Sequence, residues 1–338
     1  MARVPFGFPN TGNTCYISST IQCLSAVRSF REQCHGDNEL ERVVRGKFAR
    51  PADLLQAIGA AYQWCRQLMN IQGASPEDPA ELLLKLFDDD LNPDMNTSCF
   101  ENTRTKRKRC TQCNHVTETS SKEKILIVTC LPADGAAPVQ RAVDACFGFQ
   151  RGSAAAVSPA APAAPAAPAA QPPLPLADTN APPMSFHNYN RGFAGPSLPV
   201  PKTTTVRENE IWYRCDDESV NPVRLSSATP YILFYEERQT AVAAASGVAE
   251  SAPAQLQTLP LDCDEGACKS KQAHETYVCS YDLSTALIIH IAVPQYRNMG
   301  LVERTLLVGC DGGQRAYDLV SFIARVGNNH YVAYVLKK

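Results

Sequence analysis

The sequence lacks any long apolar run and any strong excess of charge. Its 338 residues carry 32 Lys and Arg against 34 Asp and Glu, a formal net charge of -2. A charge this small gives no reason to expect nucleic-acid binding or a polybasic membrane anchor. No apolar stretch approaches the roughly 20 residues that a transmembrane helix needs, and the N-terminus has no apolar signal core. We therefore expect a soluble, non-secreted protein that is cytoplasmic, nuclear or both.

The missing secretion signal also decides how the cysteines are interpreted. The chain has 14 of them, and without a signal we expect reduced thiols rather than disulfides. Most are scattered singly and are typical of small buried apolar residues. Three sites need a separate account, namely Cys15, the pair Cys110 and Cys113, and the pair Cys263 and Cys268.

Two segments lack the residues from which a core is built. Residues 151–185 are rich in Ala and Pro, hold two charged residues and no aromatic one, and predict an extended or disordered linker. Residues 239–260 form a shorter linker of similar composition. The segment between them, 186–238, is rich in aromatic residues but too small to bury its apolar face alone. We expect it to dock on the rest of the protein.

The remaining sequence predicts a mixture of helices and strands. Helical spacing of apolar residues occurs within 7–30 and Arg50–Met69. A third helix is predicted from near Ser75, with Ser75 as N-cap, Pro76 at the first helical position and Asp78 completing a capping box. Short runs of β-branched, aromatic and apolar residues predict strands at Lys124–Cys130, Pro230–Glu236, Ala286–Val293 and His330–Leu336.

Cys15 lies where a Gly- and Asn-rich loop enters the first predicted helix. The positive end of a helix dipole and its exposed N–H groups favour a thiolate at such a position. Gly12 permits a tight backbone there, and Asn10 can direct its side-chain amide toward a developing oxyanion. A buried structural cysteine near a helix start is the alternative.

The whole segment Gly7–Leu24 resembles the cysteine motif of the ubiquitin-specific proteases, which are papain-like deubiquitinating enzymes. Ser18 departs from the family, which usually has Asn there. The resemblance implies that Cys15 is the nucleophile and Asn10 the oxyanion donor. The matching residues are Gly7, Asn10, Gly12, Asn13, Thr14, Cys15, Tyr16, Ser19, Gln22 and Leu24.

The same resemblance implies an α+β fold of the papain-like cysteine protease type, shaped as a hand. The expected parts are a helical thumb (7–100), β fingers (101–150 and 261–285), and a β palm (286–338) that together form one catalytic domain. The two linkers and the segment 186–238 interrupt this order.

A second motif lies at the other end of the chain. His330–Tyr334 reads HYVAY and resembles the end of the family's histidine motif, with Asn329 in place of the usual glycine. The resemblance implies that His330 is the general base and that Tyr331 contacts substrate. A purely structural histidine at a strand start is the alternative. His290, inside the apolar run ALIIHIAV, is the other candidate base, and we expect it to be buried and structural.

The chain lacks an acid after His330. Only eight residues follow, and none is Asp, Asn or Glu. Trp212–Val220 (WYRCDDESV) resembles the hairpin that closes the family's domain, with Cys215 for the usual Phe, and Tyr231–Glu236 resembles the closing strand. Because both precede His330 here, the resemblance implies a circular permutation or a relocated segment.

Linker length permits this rearrangement. Flexible linkers of these sizes span roughly 30 and 25 Å on average, so the segment 186–238 can return to the histidine strand. Asp216 would then orient His330, and Asp217 would assist at the second shell or at the oxyanion. The alternative is a decayed duplicate or surface hairpin beside a Cys–His dyad.

Two further residue sets follow from the resemblance. The family's fingers carry two cysteine pairs, which implies a structural zinc site of Cys110, Cys113, Cys263 and Cys268, although the wider second pair leaves a site without metal as the alternative. Asp78 and Glu81 align with acids that hold the arginine-containing tail of ubiquitin through charge-assisted hydrogen bonds. A role in helix capping is the alternative for Asp78.

Taken together, these features predict a thiol-dependent deubiquitinase. It would hydrolyse the isopeptide or peptide bond at the C-terminal glycine of ubiquitin or a ubiquitin-like modifier, without a catalytic cofactor and as a monomer. Its partners would be the modifier and its conjugates, with no nucleic acid and no membrane. A non-catalytic ubiquitin-binding scaffold, or a protease that cuts its own polyprotein, are the alternatives.

Overall fold

The computed structural model describes the chain in stretches whose residues belong to one compact unit. No helix of the described stretches is long and apolar enough to cross a bilayer. The predicted linker 151–185 and the residues 186–209 lie outside them. The described residues are 6–35, 38–70, 77–110, 113–128, 138–146, 210–225, 228–238, 257–260, 273–292, 302–310, 313–327 and 329–337.

The first part of the chain is helical. In the fourth helix, Ala57, Ala61 and Cys65 recur every four residues and are buried, which is the stripe of an amphipathic helix. The prediction for Arg50–Met69 is confirmed, since its two end residues are the caps of that helix. The helices are Cys15–Ala26 (α1), Arg28–Gln33 (α2), Glu39–Arg45 (α3), Pro51–Leu68 (α4), Pro79–Leu86 (α5) and Pro138–Cys146 (α6), with a 3-10 turn at Ser98–Phe100.

The third helix was predicted to begin near Ser75, and this predicted start is wrong. Asp78 has an extended backbone, and its side chain accepts the N–H of Ala80 at 2.7 Å. Asp78 is therefore the N-cap of α5 and Pro79 its first residue, whereas Ser75 and Pro76 lie outside the described residues. The sequence offers the cap-and-proline signal twice, and a tertiary contact favours the second because Asp78 also accepts a hydrogen bond from Tyr231.

All four predicted strands are present, with ends moved by a few residues. A correction concerns the second linker, because Gln257–Pro260 forms a strand within the predicted span 239–260. This strand pairs with Ala273–Asp282, and the composition of the linker gives no indication of such a pairing. The strands are Asn102–Cys110 (β1), Val116–Glu123 (β2), Leu126–Val128 (β3), Ile211–Asp216 (β4), Ser219–Val223 (β5), Pro230–Glu237 (β6), Gln257–Pro260 (β7), Ala273–Asp282 (β8), Ala286–Ile291 (β9), Thr305–Cys310 (β10), Gly313–Val326 (β11) and His330–Lys337 (β12).

The larger sheet has eight strands in the order β3-β9-β6-β11-β12-β4-β5, with β10 paired to β11. On β6, Ile232 and Phe234 pack into a core shared with the helices of the first hundred residues, whereas Leu233 and Tyr235 pack into a second core shared with α6. Because successive side chains of a strand point to opposite faces, a strand covered on both faces is apolar throughout. The architecture is α+β, as expected.

The segment that bears Asp216 is part of this sheet. β4 pairs antiparallel with β12, from Ala333 opposite Cys215 to Lys337 opposite Ile211. β6 lies between β9 and β11. Residues 211–237 thus supply three strands to the sheet whose strand β12 begins at His330. One of them, β4, lies beside β12 although it precedes that strand in sequence.

A smaller sheet has the strand order β2-β1-β8-β7. Cys110, at the end of β1, pairs with His274 at the start of β8, and Pro260 pairs with Ala273. The β1–β2 turn and the two ends of the β7–β8 connection therefore lie at the same end of this sheet.

Candidate active site

The loop before α1 is shaped by left-handed residues and by its own side chains. Gly12 and Asn13 have φ values of 94° and 49°. The hydroxyl of Thr14 donates to Oδ1 of Asn10 at 3.3 Å, and the same Oδ1 accepts the N–H of Gly12 at 3.0 Å. These contacts fix Asn10 above the helix start, where Cys15 is the first residue of α1.

The thiol of Cys15 is 5% exposed, and burial raises its pKa above the ordinary value. The N–H of Tyr331 bonds to the sulfur and offsets part of this effect, whereas the negative charge of Asp217 adds to it. The thiol donates to the carbonyl oxygen of Asn329 across 3.8 Å. Burial thus opposes the thiolate that the helix start favours, and the net shift of the Cys15 pKa is upward.

His330 and Asp216 are hydrogen-bonded to each other. Nε2 of His330 lies 2.7 Å from Oδ1 of Asp216, and both side chains are about one third exposed, at 35% and 30%. The second oxygen, Oδ2, accepts from Nη2 of Arg214 at 2.5 Å. Arg214 and Asp216 are two residues apart on β4 and so project from the same face of the strand. The carboxylate is held between an arginine and the imidazole.

The turn between β4 and β5 packs on the segment that leads to the cysteine. Asp217 is left-handed with φ 49°, and its carbonyl oxygen accepts the N–H of Phe8 at 2.9 Å. A Cβ atom added to Gly7 would lie 2.1 Å from the carbonyl oxygen of Glu218. Only glycine permits so close an approach of two backbones. The Asp216 hairpin is thereby joined to the Cys15 loop as well as to the His330 strand.

Asp217 also orients the predicted oxyanion donor. Nδ2 of Asn10 donates to Oδ2 of Asp217 at 2.8 Å, while Oδ1 of Asn10 receives the loop contacts described above. An amide nitrogen has two donor hydrogens, so one remains after the bond to Asp217. Asn10 is exposed, and this second N–H has access to a bound group.

The predicted substrate residues lie in two environments. Asp78 is half-buried and Glu81 is exposed, both at the start of α5. Tyr331 is 7% exposed, and its ring lies 5.8 Å from that of Tyr231. His290, the other candidate base, is half-buried on β9 and packs its ring against Tyr231, with centroids 4.8 Å apart. Burial lowers the pKa of His290. The side chain is half-buried rather than buried as expected, and its structural role stays a prediction.

Two of the four predicted zinc ligands lie within the described residues. Cys110 is buried and Cys113 exposed, at the β1–β2 turn, and neither is in a disulfide. Cys263 and Cys268 lie outside the described residues, within the β7–β8 connection that begins and ends at the same end of the sheet.

Three groups that form contacts in the site were not predicted from the sequence. Arg214 was recognisable from its two-residue spacing to Asp216 on a strand. Tyr231 stood out only as one aromatic residue among many. The Asn329 carbonyl is a backbone group and has no sequence signal.

Within the described residues, the groups whose spacing would suit a metal ion are Asp216, Asp217 and His330. Asp216 is already hydrogen-bonded to Arg214 and His330, and Asp217 is hydrogen-bonded to Asn10. A cysteine at a helix start, a histidine and an aspartate bonded to that histidine are the side chains that thiol hydrolases use for acyl transfer. The candidate site thus contains the three residue types of a Cys–His–Asp site.

Comparison with known proteins specifies the family. Residues 6–133 match the model of the family described as ubiquitin carboxyl-terminal hydrolase. This match spans less than half of the chain. The resemblance recognised in Gly7–Leu24 is confirmed.

The solved structures that resemble the chain are distant. One is a SAGA DUB module of variant Ubp8, Sgf11, Sus1 and Sgf73 bound to monoubiquitin, with 13% identity, a TM-score of 0.48, and 99% of this chain and 62% of that chain covered. Another is a SAGA Ubp8, Sgf11, Sus1 and Sgf73 DUB module with shortened Sgf11, with 12% identity, a TM-score of 0.43, and 97% and 60% covered. This chain thus spans about three fifths of the length of those chains. No curated protein matches the sequence.

Proposed function

We propose that the protein is a thiol-dependent deubiquitinase that hydrolyses the bond after the C-terminal glycine of ubiquitin or a ubiquitin-like modifier. The observation that carries the proposal is the 2.7 Å hydrogen bond between His330 and Asp216, which lie 114 residues apart. It gives the imidazole of His330 a carboxylate partner. The family match over residues 6–133 supports the substrate class.

The chemistry follows from the bonds of the imidazole. Because Nε2 of His330 faces Asp216, Nδ1 is the nitrogen that takes the proton of the Cys15 thiol. The sulfur then attacks the glycine carbonyl, and the imidazolium, stabilised by Asp216, returns the proton to the departing lysine amine. Water attacks the resulting thioester with His330 as base, releasing the carboxylate and the thiol.

The proton transfer has to occur at the moment of attack. The resting Cys15 is protonated, since burial raises its pKa, and it donates to the Asn329 carbonyl rather than to the imidazole. Substrate binding would turn the thiol from that carbonyl toward His330. The free N–H of Asn10, held by Asp217, would donate to the oxyanion of the tetrahedral intermediate.

The resting geometry also favours a second candidate, a non-catalytic scaffold that binds ubiquitin. A neutral thiol bonded to a backbone carbonyl is what an inactive relative would have. The retained hydrogen bond between His330 and Asp216 favours the enzyme, because a binding module has no use for it.

A ubiquitin suicide probe with an electrophile in place of the C-terminal carboxylate separates the two candidates. We expect the wild-type chain to be labelled covalently and Cys15→Ala to be unlabelled. Cys23→Ala, which removes a fully buried thiol on the same helix, is the matched control and should be labelled. A folded wild-type chain that binds ubiquitin but takes up no probe would make the scaffold the better account.

We also propose that the chain is a papain-like hand whose segment order is permuted. The single domain would consist of a thumb at 7–100, fingers at 101–150 and 261–285, a palm at 286–338 and the relocated segment at 186–238. The pairing of β4 with β12 supports this proposal, since it puts the Asp216 hairpin where a closing hairpin would follow His330.

A structural zinc ion would be held by Cys110, Cys113, Cys263 and Cys268. It would clamp the end of the smaller sheet and take no part in the reaction. We expect about one zinc per purified chain by metal analysis, and loss of it in Cys110→Ser. A metal-free wild type would contradict the zinc site and leave the catalytic proposal intact. A monomer in the cytoplasm, the nucleus or both completes the proposal.

A further inference from the structure

The carboxylate of Asp78 is held at both oxygens. Oδ1 accepts the N–H of Ala80 at 2.7 Å, as the N-cap of α5, and Oδ2 accepts the hydroxyl of Tyr231 at 2.5 Å. A cap alone leaves the far oxygen free to turn, whereas two bonds to opposite oxygens fix the carboxylate plane. Each oxygen keeps a lone pair, so the carboxylate can still accept hydrogen bonds from a bound cation.

Tyr231 is itself fixed by its neighbours. Its side chain is 8% exposed, its ring lies 5.8 Å from the ring of Tyr331, and it meets His290 edge-on at 4.8 Å. Its strand, β6, is paired on both sides. Burial and the hydrogen bond to Asp78 raise the pKa of Tyr231 well above its ordinary value. The hydroxyl therefore stays protonated near neutral pH and donates to Asp78, and the ring contacts fix its position.

Tyr231 comes from a different part of the chain than the carboxylate it holds. Asp78 lies in the helical N-terminal part, whereas Tyr231 belongs to the closing-strand segment that lies between the predicted linkers. Tyr331, which packs on Tyr231, directly follows His330 and bonds to the sulfur of Cys15 through its N–H. One hydroxyl therefore links the position of Asp78 to the strand that carries the proposed base.

We propose that Tyr231 is a positioning residue that sets the specificity of the site for a guanidinium group in the substrate tail, by holding Asp78 in a planar, two-oxygen orientation. The proposal rests on the proposed function and on the role in binding the substrate tail that the family resemblance implies for Asp78. A fixed carboxylate plane suits a guanidinium, which binds carboxylates through two parallel N–H groups, better than it suits a lysine ammonium. Tyr231 would not touch the substrate.

The test compares Tyr231→Phe with wild type on two fluorogenic ubiquitin amides, one native and one whose tail arginines are replaced by glutamine. The phenylalanine keeps the ring contacts and removes the hydroxyl. We expect KM for the native substrate to rise about fivefold with kcat within twofold, since one hydrogen bond to a charged group is lost indirectly. For the glutamine-tailed substrate we expect no difference between the two proteins.

Tyr213→Phe is the matched control, because Tyr213 lies on β4, another strand of the same sheet, and its hydroxyl forms no hydrogen bond with the described residues. It should behave as wild type on both substrates. In Asp78→Asn, removing the Tyr231 hydroxyl should cost no further increase in KM, because both changes act on one interaction.

Three results would overturn the inference. They are an unchanged KM in Tyr231→Phe, an equal rise for both substrates, and a fall in kcat at constant KM. Each of these requires an active wild type, so it leaves the proposed function standing. Failure of the wild type to cleave either substrate would instead contradict the proposed function, on which this inference depends.

Discussion

The two segments that meet at the site are held there by different means. The Cys15 segment is a loop that shapes itself through contacts between near neighbours and then enters a helix buried in the helical core. The Asp216 hairpin also has local contacts, in the pairing of β4 with β5 and the bond from Arg214 to Asp216, but these do not fix its place at the site. It is held by pairing with β12 and by the contacts of its turn with Gly7, Phe8 and Asn10.

This difference has a consequence for stability and function. Local contacts form with little loss of chain entropy, whereas the hairpin closes a loop of more than a hundred residues to reach His330. A change that weakens docking of the hairpin should therefore reduce activity without unfolding the Cys15 helix. Four changes in the molecule test this contrast, and the size of the expected loss falls from the first to the last.

Removing the acid should have the largest effect. We expect Asp216→Ala to lower kcat/KM for ubiquitin conjugates at least tenfold, and about a thousandfold if the aspartate stabilises the imidazolium as it does in other triads. Asp178→Ala, in the predicted linker, should match wild type. Equal activity of the two variants would leave a Cys–His dyad as the better description and the hairpin as a structural feature.

Loss of the oxyanion donor comes next. Asn10→Ala should lower kcat about a hundredfold with little change in KM, because the contact forms only as charge develops on the carbonyl oxygen. Asp217→Asn should lower kcat less, and adding it to Asn10→Ala should cost little more, because Asp217 acts through Asn10. Fully additive losses would show that Asp217 acts independently of Asn10.

A methyl group at the contact between the two segments tests docking itself. Gly7→Ala would place Cβ 2.1 Å from the Glu218 carbonyl oxygen, so the turn must move away from Phe8 and Asn10. We expect about a tenfold loss of kcat/KM and a lower Tm. In the control Gly59→Ala, on an open face of α4, no atom lies within 4 Å of the added Cβ, and helix stability should rise by roughly 0.5–1 kcal/mol. Unchanged kinetics in Gly7→Ala would mean that docking of the turn is not needed.

The smallest effect concerns pH and the far side of the hairpin. Arg304 lies 4.5 Å over the ring of Trp212, and its neighbour Glu303 accepts the N–H of Gln140 at 3.3 Å. Burial raises the pKa of Glu303 to about 7. The pKa of Glu303 is thus higher in the folded state than in the unfolded state. Its contribution to the free energy of unfolding is therefore fully present below the unfolded pKa, near 4.5, and is lost as the pH rises through about 7.

We therefore expect wild type to lose on the order of 2 kcal/mol of unfolding free energy between pH 5 and pH 8 through Glu303. In urea unfolding, Glu303→Gln should not show this loss of unfolding free energy between pH 5 and pH 8. Glu32→Gln, at an exposed position on α2, should keep it. A wild-type slope that persists in Glu303→Gln would assign the pH dependence to other groups.

The sequence predicted most of the fold where the signals are local. Apolar spacing identified α4 to within a residue at each end, and the apolar runs identified β6, β9 and β12. The start of α5 was misplaced, because Ser75-Pro76 and Asp78-Pro79 carry the same cap signal and only the tertiary bond to Tyr231 separates them. β7 was missed because its pairing with β8 does not follow from its composition.

The candidate site was likewise predictable where its signals are local in sequence and unpredictable where they depend on tertiary contacts. Cys15 and His330 are recognisable because each lies in a contiguous motif, and Asp216 because a motif was found out of order. The state of the thiol was not predictable, since the helix start favours the thiolate and only the packed structure shows that burial dominates. Likewise the donor that fixes Asp78 belongs to a strand more than 150 residues away.

The measurement that tests the account most directly is a proton NMR spectrum of the full chain labelled with nitrogen-15 in its six histidines. The imidazole N–H of His330 that bonds to Asp216 should give a strongly deshielded resonance. We predict this resonance in wild type and Asp178→Ala, and its loss in His330→Gln and Asp216→Ala. A resonance assigned to His330 that survives unchanged in Asp216→Ala would contradict the claim that the hairpin supplies the acid of the triad.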